Sequence, residues 1–235
     1  MQKAASPAAA GALKRAPKRA TFLDSTIGRK VVMAVTGVAL IGFVVVHMLG
    51  NLQVYLGPEA INQYGASLRA LGHGTALWIA RGGLLAAVGL HIWAAASLWS
   101  RNKGARPQRY KMWSPRASTY ASRTMYWSGP ILLLFIVYHL LHFTTGTVHP
   151  DFREGDVYRN FVVGFQQPAV SAFYIVGMLA LGLHLYHGVW SLMHTVGLAQ
   201  PRWNVLRHSV ATFIAALVVV GNITFPVAVL TGFIK

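Results

Sequence analysis

Histidines stand inside apolar runs of this chain, one run after another, and no other side chains in it offer as much chemistry. His47 lies in VALIGFVVVHMLGN, His91 in LLAAVGLHIWAAA, His139 and His142 in ILLLFIVYHLLHF, and His184 and His187 in MLALGLHLYHGVW. An imidazole in hydrocarbon is costly and is usually kept because something uses it. Four separate apolar segments that each carry one point to metal ligation, and the iron of b-type haem is the natural candidate. For any single histidine the competing reading is a hydrogen-bonded helix-packing residue. At His139/His142 and His184/His187 only one member is needed for iron, and its i+3 partner lies on the same helix face.

Depth sorts these residues. At about 1.5 Å of rise per residue, His47 lies about 25 Å beyond Lys30, and His139 about 24 Å beyond Arg123. His91 lies about 15 Å before Arg101; His184 and His187 lie about 20 and 15 Å before Gly197. The first and third segments therefore supply one layer, and the second and fourth supply another. Two irons, each held by two histidines and stacked across a membrane, would form an electron path between its faces.

The segments that position them are long enough to cross a hydrocarbon core, which takes about 20 residues. Five are predicted: Lys30–Val54, Ala76–Ser100, Thr124–Gly146, Ala169–Val196 and Val210–Phe233. The fold class is thus an all-α membrane protein of five transmembrane helices, the first four forming a dihaem-binding four-helix bundle. The fifth segment carries no histidine. It reads as a flanking helix kinked at Pro226, with Asn222 placed to satisfy a freed backbone group. Residues 1–25 read as a basic disordered tail, and 26–235 as the transmembrane domain. Pro58–Gly74 reads either as a short interfacial helix or as a simple connection, and His149–Phe161 as a polar excursion. Glycines in the spans (Gly37, Gly42, Gly50, Gly82, Gly83, Gly89, Gly177, Gly182, Gly188) permit close approach of helices or of a flat macrocycle. Arg29, Arg81 and Arg123, near span ends, are placed either to pair with haem propionates or to snorkel. His73, His149, His194 and His208 read as solvated interface or loop residues.

Composition agrees. The 235 residues are 54% hydrophobic and 11% charged, and the mean hydropathy is +0.47. There is no cysteine, so no Cys-ligated iron–sulfur cluster and no covalent c-type haem belong to this chain. The net charge of +16 is not a nucleic-acid signal, because the basic residues concentrate in the N-terminal segment and in the connections after the second and fourth spans. By the positive-inside rule these are cytoplasmic, which puts the C-terminus outside. Four of the five acids (Glu59, Asp151, Glu154, Asp156) fall on the opposite side.

The run RKVVMAVTGVALIGFVVVHMLGNL, followed by GLHIW, YHLLHFT and GLHLYHGVWS, resembles the cytochrome b membrane anchor of succinate dehydrogenases and fumarate reductases (succinate:quinone oxidoreductases, respiratory complex II). It is most similar to the single five-helix type with two haems, over nearly all of Ile27–Phe233. The resemblance implies His47 and His139 as ligands of the distal haem iron, and His91 and His184 as ligands of the proximal one. It prefers His184 where depth counting slightly prefers His187. It implies two haem b as cofactors and a quinone, usually menaquinone in this type, as electron acceptor. It also implies docking of a flavoprotein subunit, which carries the succinate/fumarate chemistry, and of an iron–sulfur subunit. The setting it implies is the bacterial inner membrane, and a higher oligomer of the complex is compatible with it. In one respect the sequence departs: some two-haem relatives carry a glutamate two residues before the proximal ligand, where Gly182 stands here. Two other readings remain: a haem b anchor of another respiratory dehydrogenase, which requires a different ligand order, and a transporter with a histidine proton relay.

Overall fold

The computed structural model describes residues 21–105 and 119–235. Residues 1–20 of the expected basic tail, and 106–118 of the basic connection, lie outside the described residues. The last residues assigned to the tail instead start the first helix. Thr21 and Asp24 close a capping box around the 3-10 turn Phe22–Asp24, and the Ser25 hydroxyl accepts from Gly28 N–H at 2.8 Å. The hydrogen bonds from Thr21 hold the Asp24 carboxyl below its ordinary pKa, with help from the charges of Arg29 and Arg101. These local caps explain why α1, Thr26–Asn51, begins before the first residue that apolar patterning could identify.

After α1 come α2 (Pro58–Ala70), α3 (Thr75–Gly104), α4 (Tyr120–His139), α5 (Val157–Phe165), α6 (Pro168–Thr195) and α7 (Asn204–Leu230). No strand occurs among the described residues. Proline at the first turn starts α2 and α6, where its missing N–H costs nothing. α4 continues into a π-helical turn, Leu140–Thr144. Five helical segments are long and apolar enough to cross a membrane: Thr26–Leu56, Pro58–Gly104, Tyr120–Thr144, Pro168–Thr195 and Pro201–Leu230. In their most apolar stretches only 11–33% of residues are buried, so most of this hydrophobic surface faces outward, as lipid-solvated helices require. The most buried of the five is α6.

α1 packs on α3, α4 packs on α6, and α6 and α1 also contact each other. α7 is more than a flank. It packs along the length of α6 and touches α1 as well, with Ala211 and Val218 fully buried. Pro226 does not end α7; it is buried within it. Asn222 donates to Val218 O at 2.8 Å, one turn earlier than the carbonyl that Pro226 leaves without its amide partner.

One end of the bundle, reached by the C-termini of α1 and α4, is capped. There α2 and α5 lie over the helix ends, and the larger hydrophobic core (Met48, Ile61, Phe161, Phe165, Phe225) joins them to α7. Asn62 ties the two caps together, donating to Asp156 (3.2 Å) and accepting from Tyr158 N–H (2.9 Å). Asp151 pairs with Arg159, which holds its carboxyl below the usual range. The excursion between α4 and α6 is therefore a built element, not a tether. The other end, where α1, α4 and α7 begin and α3 and α6 finish, carries Arg29, Lys30, Arg101, Lys103, Arg123, Arg202 and Arg207 among the described residues.

Candidate functional site

Each predicted histidine pair meets across the bundle. The rings of His47 on α1 and His139 on α4 have centroids 5.8 Å apart, inclined at 84°. Those of His91 on α3 and His184 on α6 are 6.2 Å apart, inclined at 54°. Two imidazoles binding one ion from opposite sides, each nitrogen about 2 Å away, would have ring centroids roughly 6 Å apart. Both pairs fit that requirement. Among the described residues no group of three or more His, Asp or Glu converges on a metal position.

Hydroxyls set the orientation of three of the four rings. The Thr36 hydroxyl donates its one proton to Val32 O at 2.7 Å, and its oxygen lies 3.1 Å from His91 Nδ1. With the Thr36 proton on Val32 O, His91 Nδ1 is the donor to Thr36 Oγ1 and Nε2 keeps its lone pair. Ser128 Oγ lies 3.4 Å from His184 Nδ1. Tyr174 Oη lies 3.3 Å from His139 Nδ1 and 3.1 Å from His142 Nδ1, so it can accept from one and donate to the other. In each case Nδ1 is the nitrogen engaged by the hydroxyl. His47 differs: its Nε2 is 3.3 Å from Asn51 Nδ2.

Three helices measure the separation of the two layers independently. Thr36, which touches His91, precedes His47 on α1. Ser128, which touches His184, precedes His139 on α4. Tyr174, which touches His139, precedes His184 on α6. At 1.5 Å per residue each interval is about 15–17 Å.

The i+3 histidines go elsewhere. His142 is fully buried at the capped end, stacked on His149 at 4.9 Å, with Nε2 unpartnered. Gly164 of α5 lies against it so closely that a Cβ there would come within 2.8 Å of the ring. His187 sits beside Trp190, ring centroids 6.1 Å apart, with Nδ1 unpartnered. Of the histidines expected to be solvated, His73 and His208 are exposed, His194 is half-buried, and His149 is not solvated. His149 is buried, its Nε2 2.8 Å from Asn160 O and its Nδ1 accepting from Asp151 N–H, because α5 folds back over the loop that carries it. His208 Nδ1 lies 2.8 Å from Tyr186 Oη, and His194 contacts Arg207. Of the arginines considered for propionates, Arg29 donates to Leu23 O and lies over Trp93, while Arg81 lies over Trp78.

The glycines divide by what they face. Gly37 lies against His91, whose Cε1 is 3.6 Å from the position a Cβ would take. Gly82, Gly83, Gly89 and Gly188 have open space there. Gly182 instead fits against α7: a Cβ would stand 2.5 Å from Val219 Cγ2. Helix packing accounts for the absence of a carboxylate at this position.

Sequence reasoning missed Thr36, Ser128 and Tyr174. A signal was present for all three, since each is a hydroxyl within an apolar run at the depth of the layer opposite to its own helix's histidine.

A model of the succinate dehydrogenase/fumarate reductase transmembrane subunit family matches residues 100–223. That range includes His139 and His184 but ends short of His47 and His91, which lie on the part of the chain before it. No curated protein and no solved structure matches the chain. With more than half of the chain matched, and five helices of membrane-spanning character around the matched segment, the chain belongs to the succinate dehydrogenase/fumarate reductase transmembrane subunit family.

Proposed function

We propose that this subunit is a dihaem cytochrome b anchor that carries electrons between an iron–sulfur subunit on its basic face and a membrane quinone, menaquinone in the form closest to this sequence. His47 and His139 hold one b-type haem toward the capped end; His91 and His184 hold the other toward the basic end. Bound there, haem iron supplies reversible one-electron transfer at two depths. The protein's part is to hold four imidazoles in place. Thr36, Ser128 and Tyr174 fix the rings from behind, and the apolar helices keep water from the pairs. The basic end suits docking of the iron–sulfur and flavoprotein subunits, and the succinate/fumarate chemistry belongs to the latter. By the positive-inside rule that end is cytoplasmic, in a bacterial inner membrane, with the C-terminus outside.

The observation that carries this reading is the pair of imidazole–imidazole separations, 5.8 and 6.2 Å, each across opposed helices. The test is a reduced-minus-oxidised spectrum of the purified chain with pyridine haemochrome quantification. About two haems b per chain are expected. Alanine at His91 or His184 should remove one, alanine at His47 or His139 the other, and alanine at His142 or His187 neither. A folded chain without haem b would refute the reading.

A further inference from the structure

Arg207 is 2% exposed, and among the described residues no carboxylate pairs with it. Its guanidinium contacts His194 and Asn204 and lies over the Trp190 ring at 5.6 Å, while its Nε has no partner. Of the five acids, Glu59, Asp151, Glu154 and Asp156 stand at the capped end. Asp24 is bonded to Thr21 and lies near Arg29 and Arg101. A guanidinium stays charged at any physiological pH, and a buried charge without a counter-ion costs several kcal/mol. Trp190 Nε1, a donor with no acceptor capacity, is buried and unpartnered beside it. Two unmatched donors and one unbalanced positive charge call for an oxyanion.

The surroundings say which kind. Arg207, Val210 and Ile214 follow one another at i, i+3 and i+7 along a single stripe of α7. Val210 and Ile214 are also one wall of an apolar groove of about 280 Å³, whose other walls are Val189 and Met193 of α6 and Val38 and Ile41 of α1. On α1 the stripe through Val38 and Ile41 leads back through Ala34 to the exposed Lys30, at the same basic end. An apolar groove that runs toward two cations at the membrane boundary complements an amphiphile with an anionic head. A quinone, being neutral, would leave Arg207 unbalanced.

We propose that Arg207 marks a binding site for an anionic phospholipid, its phosphate taken by Arg207 and Trp190 with Lys30 nearby, and one acyl chain lying in the groove between α1, α6 and α7. The site does not depend on the haem assignment.

The test uses the full chain in a neutral detergent, titrated with phosphatidylglycerol or phosphatidylcholine in mixed micelles. The thermal midpoint is followed, and retained lipid is counted by native mass spectrometry. Phosphatidylglycerol should raise the midpoint and remain bound at about one per chain, where phosphatidylcholine does neither. Arg207→Gln should weaken retention about tenfold, more than the roughly fivefold that ~1 kcal/mol for a surface basic residue represents. Arg207→Lys should keep most of it. Ile214→Trp fills the groove without touching Arg207 and should also release the lipid, so the test stands if Arg207→Gln fails to fold. Equal retention of the two lipids, or unchanged retention in Ile214→Trp and in a folded Arg207→Gln, overturns the proposal. A shifted haem midpoint potential in Arg207→Gln with lipid retention unchanged also overturns it, and assigns the anion to a haem propionate.

Discussion

Thr36 has a single hydroxyl proton, and the Val32 carbonyl takes it. That small fact fixes the tautomer of His91 across the helix interface and makes a prediction. In Thr36→Val the His91 Nδ1–H loses its acceptor, and haem retention at the basic-end site should fall by about 10–100-fold, the usual effect of removing such a partner. On the proposed dihaem reading, transfer to an excess of apomyoglobin checks this: one of the two haems should leave faster and the other at its original rate. Thr36→Ser should restore both. The choice of His184 over its neighbour shows what was readable at this scale. Counting residues gave the layers, but the helix end from which His184 and His187 were counted was poorly defined, so arithmetic alone leaned to His187. The motif GLHLYHGVWS pointed to His184, and the structure puts that ring opposite His91. The hydroxyls behind the rings were not assigned, because one sequence does not say which helices are neighbours.

Helices set the finer constraints. Gly182 lies in the α6–α7 seam, where Val219 occupies the space a side chain would need. Gly182→Ala should lower stability by about 1–3 kcal/mol through overpacking, and Val219→Ala should relieve much of that cost in the double variant. Thermal unfolding of the four proteins of the cycle measures both. A smaller penalty in the double variant than the sum of the singles would locate the clash at this contact. The spans themselves were legible because their apolar length is set by the bilayer. Their ends were not, since Ser25 and Thr119 start helices by hydrogen bonds that hydropathy does not register. α5 was hidden for a similar reason: it is a short amphipathic helix held by the Asp156 cap and by Asn62 from α2, a contact between residues far apart in the chain.

The whole molecule is asymmetric from end to end. Four of five carboxylates and both short helices gather at one end, and most of the cations lie at the other. The chain has no cysteine, so single introduced thiols report orientation against an empty background. A cysteine at Glu154 should react with an impermeant maleimide in intact cells, and one at Arg202 only after the membrane is opened. The reverse pattern would invert the topology.

Among the helices that carry the paired histidines, α3 packs chiefly on α1, and His91 is where it faces α6. If iron joins His91 to His184, the ligand is also the rivet that closes the second helix hairpin onto the first. Newly inserted chains made during haem shortage would then hold α3 loosely, with its exposed apolar flank open to membrane proteases. The abundance of the subunit would follow the supply of its cofactor, without any dedicated regulator.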